Sequence, residues 1–255
     1  MLDAPEAVQA LHADYVRAGA DIITANTWRT ARATVAPHGH DARALTRRAV
    51  ELARAGVADA APERPVFVAG SLGPVADCYR PDLVPDETTL RVEHGLHVGS
   101  LVAARVDFVM IETMNTIREA QAALGAAQAG LLPAVVSFVV DDEARLLSGE
   151  SLADAVAAVE PLDPLAILVN CCALTSATHA LDVLADATSR PMGVYANGLG
   201  RPDDAQGWTF EGGHDDEAYV AEAARWFEAG ARIVGGCCGT TPATIERLRN
   251  AFERR

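Results

Sequence analysis

Apolar, β-branched runs alternate with alanine-rich helical stretches from one end of this 255-residue chain to the other. The apolar runs fall at 21–26, 66–71, 108–112, 134–139, 166–170, 192–195 and 232–235. Between them, helical spacing covers 6–17, 42–59, 87–104, 117–129, 152–159, 177–187 and 216–228, and a last helix follows Thr241. Strict alternation of this kind predicts parallel strands joined by crossover helices. An open doubly wound sheet and a (β/α) barrel both satisfy it. No G-x-G-x-x-G follows the first strand, which removes the commonest reason to prefer the open sheet. The strand count is seven, one short of a closed eight-stranded barrel, and the chain opens on a helix. The expected architecture is an α/β TIM-barrel type with about seven parallel strands, one domain over 1–255, with an open doubly wound sheet as the alternative on pattern alone.

Half the residues are hydrophobic and 22% are charged, as in a globular protein. No run of 18 apolar residues predicts a membrane span. The opening MLDAPEAVQA lacks a basic segment followed by an apolar one, so a signal peptide is not expected and a cytoplasmic location is. A net charge of −14 disfavours nucleic acid and anionic membranes as partners, leaving small molecules. The cysteines number five, at 78, 171, 172, 237 and 238. Adjacent pairs rarely close on each other, and a reducing compartment favours metal binding or catalysis over disulfides.

Both cysteine pairs directly follow apolar runs, in LVNCC at 168–172 and IVGGCCGTTP at 233–242. In a barrel, both strand ends face the active-site end. Two readings are open. The cysteines are small buried hydrophobes beside tight turns, or three or four thiolates meet at one point and hold a zinc ion with a position left for substrate. Glu112 emerges from the core run DFVMIETM at the same end. A buried carboxylate needs a cation, which is either an arginine of the chain or an ammonium group of a ligand. Other polar strand ends carry Asn26, Thr27 and Trp28, Ser71 between two glycines, and Tyr195 with Asn197. The first set reads either as turn chemistry or as residues lining the active-site end. Asp141, Asp142 and Glu143 read as a solvated loop. The histidines at 12, 38, 40, 94, 97, 179 and 214 are scattered over surface and helix positions and form no constellation.

Taken in order, AGADIITANT (18–27), VAGSLGP (68–74), DFVMIETM (107–114), VNCC (169–172) and GGCCGT (235–240) resemble the homocysteine S-methyltransferase family of zinc-dependent barrels. The resemblance implies Cys171, Cys237 and Cys238 as zinc ligands, with Cys172 a neighbour. It implies Glu112 as the grip on the amino group of homocysteine, with Asn170 and Thr27 also in the substrate-binding set. DCYRPDLVP (77–85) resembles bacterial members and places Cys78 in a loop without a ligand role. The implied reaction moves a methyl group from a cationic donor, of the S-methylmethionine or S-adenosylmethionine class, to the homocysteine thiol, giving methionine. Trp28 and Tyr79 are aromatic candidates for holding such a donor.

Family members begin with a strand carrying a DGGMGT-like motif. This chain opens at MLDAPEAVQALHADYVRAGAD, which resembles the segment after that first βα unit. A seven-stranded open barrel is therefore expected, with the strands at 21–26 and 232–235 on either side of a gap. Low stability or homo-oligomerisation, and weak activity, are expected with it. Two rivals follow from the same residues. One is a non-catalytic or degenerate zinc- and homocysteine-binding barrel; the other is a barrel whose GGCCGT turn holds an anion at a helix N-terminus.

Overall fold

The computed structural model describes residues 1–198 and 216–252, with the backbone also at 201–203 and 207–209. The expectation for His214 lies outside the described residues. The chain runs α1 (Pro5–Arg17), β1 (Ile22–Ala25), α2 (Arg32–Val35), α3 (Ala42–Ala60), β2 (Phe67–Leu72), α4 (Glu87–Ala104), β3 (Phe108–Met114), α5 (Ile117–Ala129) and β4 (Ala134–Phe138). It continues with α6 (Leu152–Val159), β5 (Ala166–Asn170), α7 (Leu174–Ala187), β6 (Met192–Tyr195), β7 (Arg201–Asp203), β8 (Gly207–Thr209), α8 (Asp216–Glu228), β9 (Ile233–Val234) and α9 (Pro242–Phe252). The β7–β8 hairpin and the short α2 have no counterpart in the sequence reading. Each is too brief to leave a periodicity.

Local chemistry starts the helices where the pattern expects them. Asp41, Asp86, Thr116 and Ser151 each accept a backbone N–H of the first turn of α3, α4, α5 and α6. Pro242 opens α9, where its missing N–H costs nothing.

Seven parallel strands form one sheet in the order β1-β2-β3-β4-β5-β6-β9. Its two edges are β1 and β9, the pair expected on either side of a gap. The helices nonetheless close a circuit: α1 packs on α3, then each successive helix packs on the next through α9, and α9 returns to α1. Among the described residues one strand position is open while the outer ring of helices is complete. Two side-chain links cross the open seam. The Tyr15 hydroxyl donates to the Thr240 carbonyl at 3.2 Å, and Arg249 pairs with Asp21 at 2.9 Å.

Alternation sorts each strand into two faces. Val68, Val109, Ile111, Val136, Ile167, Val169 and Val194 pack outward with the helices in the main core. Ala69, Phe108, Met110, Val135, Ala166 and Leu168 form a second, inner cluster, joined by Ile22, Tyr195 and Ile233. Further along the inner face, towards the carboxyl ends, the residues turn polar: Ser71, Glu112, Ser137 and Asn170 are all buried. The apolar plug is thus a floor, and polar side chains stand on it.

Candidate metal centre and substrate pocket

The turn after β5 begins at Cys171, which adopts a left-handed backbone with φ of 58°. The strand ends there because a non-glycine residue in this conformation cannot continue the ladder. The turn after β9 runs through Gly235 and Gly236 to Cys237 and Cys238, and Gly239 supplies a φ of 75° that closes it. Cys237 N–H donates to the Ala196 carbonyl at 2.8 Å, and Gly198 N–H donates to the Cys238 carbonyl at 2.8 Å. The buried Tyr219 hydroxyl on α8 is shared between the carbonyls of Ala196, at 3.0 Å, and Gly235, at 2.8 Å. The extension of β6 therefore fixes the cysteine turn.

These two turns bring Cys171, Cys237 and Cys238 together, with all three sulfurs within 4.8 Å of one another. Cys171 and Cys238 Sγ are 3.8 Å apart. The thiols share protons as a set. Hydrogen bonds from Cys171 and Cys237 push Cys238 strongly towards the thiolate, and those involving Cys171 and Cys238 push Cys237 the other way. Three sulfurs so placed can hold a metal ion. Cys172 points into the helix-facing core, and burial pushes its thiol up to about 12. Cys78 stands apart in the 77–85 loop, raised to about 11 mainly by burial.

Glu112 lies on the inner face of β3, buried, and no arginine, lysine or histidine among the described residues pairs with it. Ser71 from β2 donates to one of its carboxylate oxygens, and the Tyr195 hydroxyl from β6 donates to the other at 3.1 Å. Burial raises its pKa to about 7 against those two bonds, with a smaller push from Cys238. The carboxylate thus faces the thiols, oriented on both oxygens and without a cation.

Just past Glu112 the β3–β4 register shifts, and Thr113 takes a φ of 60°. Asn170 answers this irregularity. Its Oδ1 accepts from Thr113 N–H at 3.0 Å and from the Ser137 hydroxyl at 2.7 Å, and its Nδ2 donates to Thr113 Oγ1 at 2.8 Å. The same Nδ2 faces Cys237 Sγ at 4.0 Å. A fully buried amide therefore ties β3, β4 and β5 together beneath the thiols. Thr27 does similar work at the end of β1, donating to the Ser71 carbonyl at 2.8 Å. Trp28 beside it lies flat over Gly73, where a Cβ would come within 2.4 Å of the indole.

Sequence reasoning did not single out Ser137, Thr113, Asn115 or Glu119. Ser137 had a readable signal, as a hydroxyl interrupting the apolar run AVVSFVV. The left-handed Thr113 had none, since nothing in its residue type announces that conformation.

The family profile of homocysteine S-methyltransferases matches residues 1–252 of this chain. Homocysteine S-methyltransferase of Escherichia coli (strain K12) is 33% identical, over 98% of this chain and 85% of that protein. Selenocysteine Se-methyltransferase of Brassica oleracea var. italica is 29% identical, over 100% of this chain and 82% of that protein. Among solved structures, the metallated form of the homocysteine methyltransferase MmuM from Escherichia coli superposes with a TM-score of 0.85 at 31% identity, covering 98% of this chain and 85% of that one. Its convergent thiols and cation-free carboxylate at one end of a parallel sheet, together with these matches, place the chain in the homocysteine S-methyltransferase family.

Proposed function

We propose that this chain is a zinc-dependent methyltransferase that carries a methyl group from a sulfonium donor, of the S-methylmethionine or S-adenosylmethionine class, to homocysteine, giving methionine. The observation that carries this reading is one end of the sheet holding both three convergent sulfurs and an oriented carboxylate with no cation paired to it among the described residues. The donor set fits zinc. Tetrahedral Zn–S bonds of about 2.3 Å put ligand sulfurs about 3.8 Å apart, and Cys171 and Cys238 already stand at 3.8 Å. Soft thiolates favour zinc over hard cations such as magnesium.

Cys171, Cys237 and Cys238 would hold the ion. When bound there, zinc supplies the positive charge that keeps a thiol deprotonated near neutral pH. Glu112 receives the α-ammonium of homocysteine, completing the ion pair that its burial otherwise leaves open. Ser71 and Tyr195 hold the carboxylate so that this ammonium is bound in one orientation. Asn170 and Thr27 enter the substrate set by fixing the strand ends around it. Trp28 and Tyr79 are the aromatic candidates for holding a positively charged donor. In the transfer itself the homocysteine sulfur forms a new bond to the methyl carbon. The bond from that carbon to the donor sulfur breaks, and the donor leaves as a neutral thioether. No protein group has to take a proton at this step. Free thiols at the centre suit a reducing compartment such as the cytoplasm.

The test combines metal analysis with turnover. About one zinc per chain is expected, with methionine formed from homocysteine and S-methylmethionine or S-adenosylmethionine. Zinc-loaded protein that binds homocysteine but forms no methionine with either donor would overturn the catalytic reading in favour of a binding barrel. Protein that takes up no zinc would overturn the metal reading.

A further inference from the structure

The loop after β2 reaches over the thiols and ends in a contact that family membership does not explain. The Tyr79 hydroxyl lies 3.0 Å from Cys171 Sγ. A phenol is protonated at neutral pH and a metal-binding sulfur is a thiolate. The direction of the bond is then fixed, with Tyr79 donating and Cys171 accepting.

The position of that hydroxyl is built rather than incidental. Val75 N–H donates to Glu119 Oε1 at 2.7 Å. That same oxygen faces His94 Nε2 at 3.1 Å, and both side chains are buried between α4 and α5. Further along, Asn115 Nδ2 donates to the Cys78 carbonyl at 2.9 Å and approaches that of Asp77 at 3.4 Å. Asp77 then closes the turn, its carboxylate accepting from Tyr79 N–H at 2.8 Å and its carbonyl from Arg80 N–H at 3.0 Å. The loop is thus tied to α5 at Val75 and to Asn115, the residue after β3, at Asp77 and Cys78, directly before Tyr79. The ring itself remains substantially exposed, so its packing contributes little to the core.

We infer that Tyr79 is a positioning residue of the metal centre, donating a hydrogen bond to the Cys171 sulfur that steadies this ligand and withdraws charge from it. The inference rests on the zinc reading above. Partners one bond removed from a metal commonly change its affinity 10- to 100-fold. A site with three thiolates and a thiolate substrate carries a formal excess of negative charge. A donor aimed at one sulfur relieves part of that excess without occupying a coordination position.

The experiment compares wild type, Tyr79→Phe and Tyr79→Ala by chelator competition for zinc and by the sulfur-to-metal charge-transfer band after cobalt substitution. Phenylalanine keeps the ring and removes only the hydroxyl, and the exposure of the ring keeps the fold intact. Expected is a weakening of zinc binding by about 10- to 100-fold in both variants. A shift of the cobalt band to lower energy should accompany it, because a sulfur that loses a hydrogen bond gives up its electron more easily. Unchanged affinity and band in Tyr79→Phe would overturn the inference. Loss in Tyr79→Ala alone would also overturn it, since shielding by the ring would then be the role. Failure of the wild type to bind zinc would overturn the metal reading and this inference together.

Discussion

The two halves of the site stand on unequal foundations. Glu112 and Asn170 rise from β3 and β5, strands paired on both sides, and every residue of those strands is buried. Cys237 and Cys238 follow β9, two residues long, paired only with β6 and half-buried along its length. Cys171 belongs to the first region and its two partner sulfurs to the second. A metal ion bound by all three therefore links the interior of the sheet to its edge. The carboxylate proposed to grip the substrate is preorganised by the fold, whereas the edge half of the proposed metal centre would gain an anchor from the ion itself.

The sharpest way to break this comparison is to vary the metal. Free ligand at about a thousand times its dissociation constant stabilises a folded protein by about 4 kcal/mol. For a chain of this size that raises Tm by roughly 10 °C. Hydrogen exchange should localise the gain. Zinc is expected to slow exchange strongly at residues 233–240 and to leave residues 108–114 almost unchanged. Equal protection of the two segments would show that β9 is as firmly held as β3 without metal.

Next in size is Glu112→Gln. Losing a charged partner in a buried site costs roughly 3 kcal/mol, so the KM for homocysteine should rise about 100-fold. Zinc content should stay at the wild-type value, because the carboxylate is not among the converging ligands. The pH dependence follows from burial, which raises this carboxyl to about 7. Below that value it is increasingly protonated and cannot pair with an ammonium, so KM should fall as pH rises through 7. The same shift has a stability sign. A folded-state pKa above the unfolded value means that ionising Glu112 costs stability as pH rises from about 4.5 to about 7. An ammonium partner removes that cost. In Glu112→Gln both pH effects should vanish, and loss of zinc with unfolding would instead make Glu112 a structural residue.

The residue types and their order disclosed the alternating fold, the seven strands and two cysteine pairs at strand ends, and the family resemblance singled out three of those cysteines. Apolar runs and thiols at strand ends are local facts, and a parallel sheet turns strand-end position into shared location. Glu112 was legible for the same reason, as a charge emerging from a core run. What the sequence does not carry is the pairing of side chains across the site. That Asn170 spends its amide on Thr113 and Ser137 depends on a register shift in β3, which no residue pattern marks. That α1 closes the helical ring against α9 depends on curvature summed over the whole sheet. Tyr79 was visible as an aromatic near the mouth, but its contact with Cys171 depends on loop anchors supplied by Asn115 and Glu119, both distant in the chain.

The smallest effect separates the two supports of the cysteine turn itself. On the β6 side, Tyr219 is buried and its hydroxyl serves the Gly235 carbonyl just before the cysteines. On the seam side, Tyr15 reaches across the open strand position to the Thr240 carbonyl just after them. Tyr219→Phe takes a buried donor from the buried Ala196 carbonyl and from that of Gly235, at a cost of about 2 kcal/mol. Tyr15→Phe leaves a half-exposed carbonyl that water can serve, at a cost below about 1 kcal/mol. Thermal unfolding should therefore fall by roughly 4–8 °C in the first variant and by only about 2–4 °C or less in the second. The rate at which a chelator strips the metal should rise in the same order, because Tyr219, unlike Tyr15, holds the backbone entering Cys237. A faster metal loss in Tyr15→Phe than in Tyr219→Phe would reverse the assignment. The link across the seam, rather than the extension of β6, would then be what holds the edge half of the centre in place.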